Sequence, residues 1–460
     1  MGTRGTALEW LTTRAAPPEL RPRTTSGTVP AHPPETRTRT PRMNVEIVTI
    51  GNEVLSGRTV DTNFAFLARV LEEASVQVAW HCTVSDTAER IAEGLSRALD
   101  RADAVVVTGG LGPTPDDVTR KVVSTVLGRP LQLDEGVLAS IRARAKKFSR
   151  KPPASVETMA LIPLGAEVWT NAVGAAPGLL VVHRGKPVIL LPGVPQEMEA
   201  LAIEYVVPYL RERSGRAVAS VTLRTFGASE SHLHEKLGAL PDSWQGASFA
   251  YLPSWFGVDL RLTVSGANPA AVHETAERAR RELLERVQNV VYAEGGQTME
   301  DVVGGLLAAR RWRIAPAESC TGGLLAKRLT DVAGSSRYVE RGFVTYSNAS
   351  KVEMLGVEEA TLAAHGAVSA EVAAAMAQGA RARAGVEVGV GITGIAGPDG
   401  GSEAKPVGTV FIAVASPLGE VARAYKFVGT RSIVRERSAQ TALDLVRRHL
   451  AELPPDATLE

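Results

Sequence analysis

From Val45 onward, short β-branched runs alternate with stretches whose apolar positions recur at helical spacing. Residues 45–50, 76–84 and 104–108 read as strands, with helices over 62–74 and 88–101 between them. Strand, helix, strand with glycines after the third strand predicts a parallel sheet carrying helices on both faces. Helices over 116–127 and 134–147, strands over 179–182 and 188–191, and a closing helix over 196–213 complete a first domain at 43–214.

Residues 216–296 read β-α-β-β-α-β (220–226, 230–237, 248–252, 258–264, 269–286, 289–292), the order of a split βαβ or KH-like module. A KH domain grips a nucleic-acid backbone with a GxxG loop. None occurs here, and eight Lys and Arg against nine Asp and Glu leave a net −1. A structural or dimerising role is therefore expected. A third domain, 298–450, alternates again: a helix over 299–310, a strand over 313–317, a helix from 322, a strand over 342–345, helices over 358–364 and 370–384, strands over 387–392, 409–414 and 421–427, and a long helix over 432–450. The expected fold class is α/β, two three-layer α/β domains joined by a small KH-like α+β module.

Composition narrows this picture. The 460-residue chain, 44% hydrophobic and 22% charged, has an ordinary globular make-up. No window approaches the roughly 20 apolar residues of a transmembrane helix. Two cysteines, Cys82 and Cys320, give neither a disulfide framework nor a metal pair, which fits a cytoplasmic location. The net charge of +1 conceals an uneven distribution: seven arginines against three glutamates in residues 1–42 give +4, leaving −3 for the rest. That Pro- and Thr-rich segment is expected to be a disordered extension. No membrane or nucleic-acid partner is expected.

The candidate chemistry sits at strand ends. Ala317-Glu318-Ser319-Cys320-Thr321-Gly322-Gly323 passes from strand to helix, so Ser319 would stand on a turn where the N–H groups of Thr321, Gly322 and Gly323 face an anion or developing oxyanion. Ser319 could equally be a helix N-cap. The segment is not the GxSxG elbow, and His365 and His449 are the domain's only histidines, both on expected helices. Ten lysines against forty-one arginines draw attention to lysine as a base, since a desolvated lysine can lose its proton and arginine cannot. Lys351 follows a strand end in Thr345-Tyr346-Ser347-Asn348-Ala349-Ser350-Lys351, with the Tyr346 phenol and Asn348 amide beside it.

A second glycine loop, Gly391 to Gly401, carries Thr393 and Gly394. With Gly389 it formally spells GxGxxG, yet Gly397-Pro398 forbids the helix a dinucleotide fingerprint requires. Arg431 and Arg435, opening the last helix, could clamp a phosphate or simply pair at the surface. In the first domain, Thr49 to Gly57 and Thr108 to Asp117 end strands in glycine loops beside helix N-termini, which can cradle phosphate. Asp116 and Asp117 could be first-turn residues or cation ligands.

The segments AESCTGG, TYSNASK, GITGIAGPDGG and KPVGTV together resemble the C-terminal domain of the CinA family. GNEVLSGRTVDTN, GGLGPTPDD and LPGVPQEM resemble that family's molybdopterin-binding-like domain, which is similar in fold to MoaB and MogA. The resemblance spans nearly all of residues 43–450. It implies a nicotinamide mononucleotide deamidase in which Ser319 is the nucleophile and Lys351 its general base, with Tyr346 and Thr393 assisting; this half needs no cofactor. Cys320 is the rival nucleophile. For the first domain it implies ADP-ribose pyrophosphatase activity with a divalent metal near Glu53, Asp61 and Asp117, and with Gly109, Gly110 and Gly112 around the diphosphate. Asn63 and Glu197 are further substrate candidates. The expected partners are small-molecule nucleotides and a second copy of the chain. The competing expectation is a pterin- or nucleotide-binding partner protein in competence or DNA repair, without catalysis.

Overall fold

Where apolar residues stand at consecutive rather than alternate positions, as in Ala104-Val105-Val106-Val107-Thr108, a strand must be covered on both faces, and all five residues are buried. The structure is a computed structural model that describes residues 43–74, 76–147 and 154–456; the extension expected over 1–42 lies outside the described residues. The first strands are β1 (Asn44–Ile50), β2 (Gln77–Val84), β3 (Ala104–Thr108), β4 (Leu131–Leu133), β5 (Leu161–Pro163), β6 (Glu167–Trp169), β7 (Gly178–His183) and β8 (Lys186–Leu191). Six of them form a sheet of order β2-β1-β3-β8-β7-β6, while β4 and β5 pair separately.

β1, β2, β3 and β8 run parallel, whereas β7 pairs antiparallel with both β8 and β6. The direction of the strand over 179–182, left open by the sequence, follows from its link: only Arg184 and Gly185, both at positive φ, join β7 to β8, and two residues can make a hairpin but not a crossover. The faces of β3 divide the core. Val105 and Val107 pack with Ile91, Leu95 and Val123 on one side, whereas Ala104 and Val106 meet Leu67, Leu71 and Met198 on the other.

The middle module contains β9 (Ala217–Thr225), β10 (Ala247–Ser254), β11 (Gly257–Gly266) and β12 (Val291–Glu294) in the antiparallel order β10-β11-β9-β12. Helices Glu230–Leu237 and Pro269–Val287 contribute to its core. The last sheet, β14-β13-β15-β16-β17, is built from β13 (Ile314–Glu318), β14 (Phe343–Val344), β15 (Val388–Gly394), β16 (Thr409–Ser416) and β17 (Gly419–Lys426). Its first three strands are parallel and the last two antiparallel.

Gly389 and Gly391 have a packing role. A Cβ on Gly391 would stand 2.1 Å from the Ala373 carbonyl and one on Gly389 2.0 Å from that of Ala377, so these glycines let helix Ala370–Ala384 lie directly on β15. Among the described residues no helix is long and apolar enough to cross a membrane. The chain thus has two layered α/β domains with a KH-like module between them.

Candidate functional site

Three loops leave the C-terminal ends of the parallel strands β13, β14 and β15, the position where open α/β sheets bind ligands. The first carries Ser319. Its N–H donates to the Ile392 carbonyl at 2.9 Å, and its carbonyl accepts from Gly322 N at 3.1 Å, closing a tight turn. Gly322 and Gly323 then take φ of 60° and 91°, the left-handed region that favours glycine. The buried Glu318 carboxylate fastens the following helix, Leu324–Asp331, by accepting from Leu325 N at 2.9 Å and Ala326 N at 2.8 Å.

The second loop delivers Lys351 on a helix, Asn348–Leu355, that was not expected. Ser347 caps it: its Oγ accepts from Ser350 N at 3.1 Å, while Ser347 N donates to Ser350 Oγ at 3.2 Å. One residue further on, Lys351 turns inward and is only 1% exposed. Its Nζ lies 3.2 Å from Ser319 Oγ, 2.8 Å from the Thr345 carbonyl and 3.5 Å from that of Tyr346. Burial pulls the Lys351 pKa below the ordinary lysine value, against a smaller opposing influence from Cys320. The Cys320 thiol is pushed up to about 12, chiefly by burial, which keeps it protonated.

The remaining expected residues divide by what already holds them. Arg435 donates to the Thr321 carbonyl at 2.7 and 3.3 Å, shaping the loop that carries Ser319. Arg431 donates to the Gly397 carbonyl at 2.7 Å and to the Tyr346 hydroxyl at 2.8 Å. Thr393 is buried and gives its hydroxyl to the Ala367 carbonyl at 2.7 Å. Asn348 is exposed at the helix start, and Gly394 closes β15. The hydroxyls of Thr321 and Thr345 are buried without a hydrogen-bond partner. Thr345, Glu318 and Gly397 were missed by sequence reasoning; Thr345 and Gly397 act through carbonyls, which leave no trace in residue type.

In the first domain, the loops after β1, β3 and β8 meet in the same way. Asn63 donates to Thr108 Oγ1 at 3.1 Å and to the Gly193 carbonyl at 2.9 Å, and its own carbonyl oxygen is buried and unpartnered. A Cβ on Gly109 would meet the Ile50 carbonyl at 2.3 Å, one on Gly110 the Thr119 hydroxyl at 2.1 Å, and one on Gly112 the Asp117 carboxylate at 2.5 Å. Glu197 accepts from Asn171 Nδ2 at 2.6 Å.

The carboxylates expected at a metal do not assemble. Asp61 caps helix Thr62–Glu73 through Phe64 N at 2.8 Å and lies 3.3 Å from His81 Nε2. Asp117 is held by Thr114 N at 2.8 Å and Thr114 Oγ1 at 2.5 Å, which also delays the helix expected from 116 until Thr119. Glu53 is exposed on the short turn Asn52–Leu55. Among the described residues no group of three or more His, Cys, Asp or Glu is arranged to hold a metal ion. Asp86, also missed, has its pKa raised by burial and, more weakly, by the charges of Glu53, Asp116 and Asp117.

Three family models match the chain: a CinA C-terminal domain over residues 296–450, a probable molybdopterin binding domain over 46–212, and a damage-inducible protein CinA KH domain over 220–293. A CinA-like protein of Gemmatimonas aurantiaca is 44% identical over 417 residues, covering 89% of this chain and 97% of its own length. A putative competence-damage inducible protein of Acetivibrio thermocellus is 39% identical over 411 residues, covering 89% of this chain and 100% of its own. Among solved structures, the protein CinA of unknown function from Thermoplasma acidophilum matches 36% of this chain and 98% of its own at 41% identity, with a TM-score of 0.34.

Proposed function

The chain belongs to the CinA family, and from that premise we propose that its C-terminal domain hydrolyses the carboxamide of nicotinamide mononucleotide, giving nicotinic acid mononucleotide and ammonia. The observation that carries this reading is the buried Lys351 amine 3.2 Å from Ser319 Oγ. A neutral amine has two N–H donors and one lone pair. The carbonyls of Thr345 and Tyr346 take the donors, leaving the lone pair for the Ser319 proton.

Ser319 Oγ then attacks the carboxamide carbon. The N–H groups of Thr321 and Gly323, which donate to no backbone carbonyl among the described residues, are available to the oxyanion. Collapse of the tetrahedral intermediate breaks the C–N bond, and the proton on Lys351 leaves with ammonia. Water, deprotonated by the same amine, cleaves the acyl-serine ester, releasing the acid and restoring Ser319. The thiol of Cys320 is not needed in this sequence.

For the N-terminal domain the proposal extends to splitting ADP-ribose into AMP and ribose 5-phosphate, with the diphosphate against the loop of Gly109, Gly110 and Gly112. A divalent ion would supply charge neutralisation in such chemistry. Glu53, Asp61 and Asp117 do not fit one as a group, and no step is assigned to it. Incubating the purified protein with nicotinamide mononucleotide and, separately, with ADP-ribose tests both halves. Ammonia in step with nicotinic acid mononucleotide is expected from the first and AMP from the second; absence of ammonia removes the deamidase reading.

A further inference from the structure

A cleft of about 310 Å³ lies between the KH-like module and the C-terminal domain, and the chemistry proposed above does not use it. Its floor is Arg328, which is only 8% exposed. The Arg328 guanidinium stacks 5.1 Å from the Phe256 ring centroid, donates through Nε to Glu300 and through Nη2 to Gln440 Oε1 at 2.5 Å. Its third nitrogen, Nη1, is buried and makes no hydrogen bond. A buried guanidinium N–H without an acceptor is costly in the empty protein and well matched to an incoming oxyanion.

Two more cations line the same cleft. Arg224 lies 5.6 Å from the Tyr292 ring and is steered by Asp259 at 3.3 Å and the Gln297 carbonyl at 2.9 Å. Lys327 stands at the rim with its side chain 65% exposed and ion-paired with Asp331. Glu300 is already bound to Arg328, and Glu436 is the second carboxylate of the lining. The volume falls at the lower end of the roughly 300–1,000 Å³ typical of small-molecule sites, larger than a bare phosphate needs.

We propose that this cleft binds a small phosphate monoester, its phosphoryl oxygens accepting from Arg328 Nη1 and from Lys327 in place of Asp331, with Arg224 beside them, and its organic part lying between Phe256 and Tyr292. The test is calorimetric titration of the full chain with ribose 5-phosphate and with inorganic phosphate at fixed ionic strength, comparing wild type with Arg328→Gln and Lys327→Ala. Saturable binding of ribose 5-phosphate is expected, weakened about tenfold by Arg328→Gln and about threefold by Lys327→Ala. Deamidation of nicotinamide mononucleotide should be unchanged in Lys327→Ala. Because Lys327 is exposed, its variant keeps the test informative if Arg328→Gln fails to fold. Absence of saturable binding, or affinity for ribose 5-phosphate unaltered by the substitutions, overturns the proposal.

Discussion

Ser319 and Lys351 are separated by 32 positions in the chain and by 3.2 Å between their reactive atoms. The amine is the more unusual of the two, because burial to 1% exposure disfavours the charged form of a lysine. With its pKa lowered by burial, the folded protein holds this proton less tightly than the unfolded chain does. The sign follows: between the lowered and the ordinary lysine value the unfolded chain binds more protons, so stability rises with pH across that window. Urea unfolding of wild type against Lys351→Met, at neutral pH and near pH 9, should show a wild-type gain with pH that the variant lacks. Deamidation should rise along the same limb, since only the neutral amine accepts the Ser319 proton; a kcat/KM flat from pH 6 to 10 would contradict that role. Serine and lysine were legible in the sequence as a motif and as a rarity. The Thr345 and Tyr346 carbonyls that orient the amine were not, because every residue carries a carbonyl.

At the scale of elements, Lys351 is aimed by its helix. Ser347→Ala removes the cap of Asn348–Leu355, costing about 1 kcal/mol. Because Lys351 lies in the next turn, kcat should fall while the substrate KM changes little, as steady-state kinetics would reveal. On the same face of the sheet, Gly391→Val places side-chain carbons where the Ala373 carbonyl already stands, 2.1 Å from the position of a Cβ. A loss of about 2–4 kcal/mol in chemical denaturation is expected.

The long periodic helices, Met299–Arg310 and Ala370–Ala384, match their expected bounds because apolar spacing and caps agree there. The eight-residue helix of Lys351 escaped notice because its first turn is polar and its capping box uses Ser350 instead of Glu or Gln. β6 and β4, three residues each, are too short for a period to be read.

For the whole molecule, both α/β domains present a ligand-facing rim at the C-terminal ends of their parallel strands, yet the rims differ in chemistry. One carries a buried amine beside a hydroxyl; the other carries glycine loops and carboxylates already engaged or apart. Layer architecture was readable from alternating strands and helices. The 3.3 Å approach of His81 to Asp61 was not, because 20 residues separate them and only the pairing of β1 with β2 sets His81 beside Ile47, within reach of that loop. If the engaged carboxylates recruit no ion, AMP release from ADP-ribose should survive dialysis against a chelator; loss of activity restored by added Mg²⁺ or Mn²⁺ would show that those loops rearrange to bind one.

The proposed chemistry of the C-terminal domain turns on attack of Ser319, activated by Lys351, on a carboxamide. The most direct measurement is ammonia release from nicotinamide mononucleotide by Ser319→Ala beside Cys320→Ala, each checked for folding by circular dichroism. A fall of about 10³-fold or more is expected for Ser319→Ala and a rate within about threefold of wild type for Cys320→Ala; wild-type turnover by a folded Ser319→Ala protein would contradict a Ser319 nucleophile.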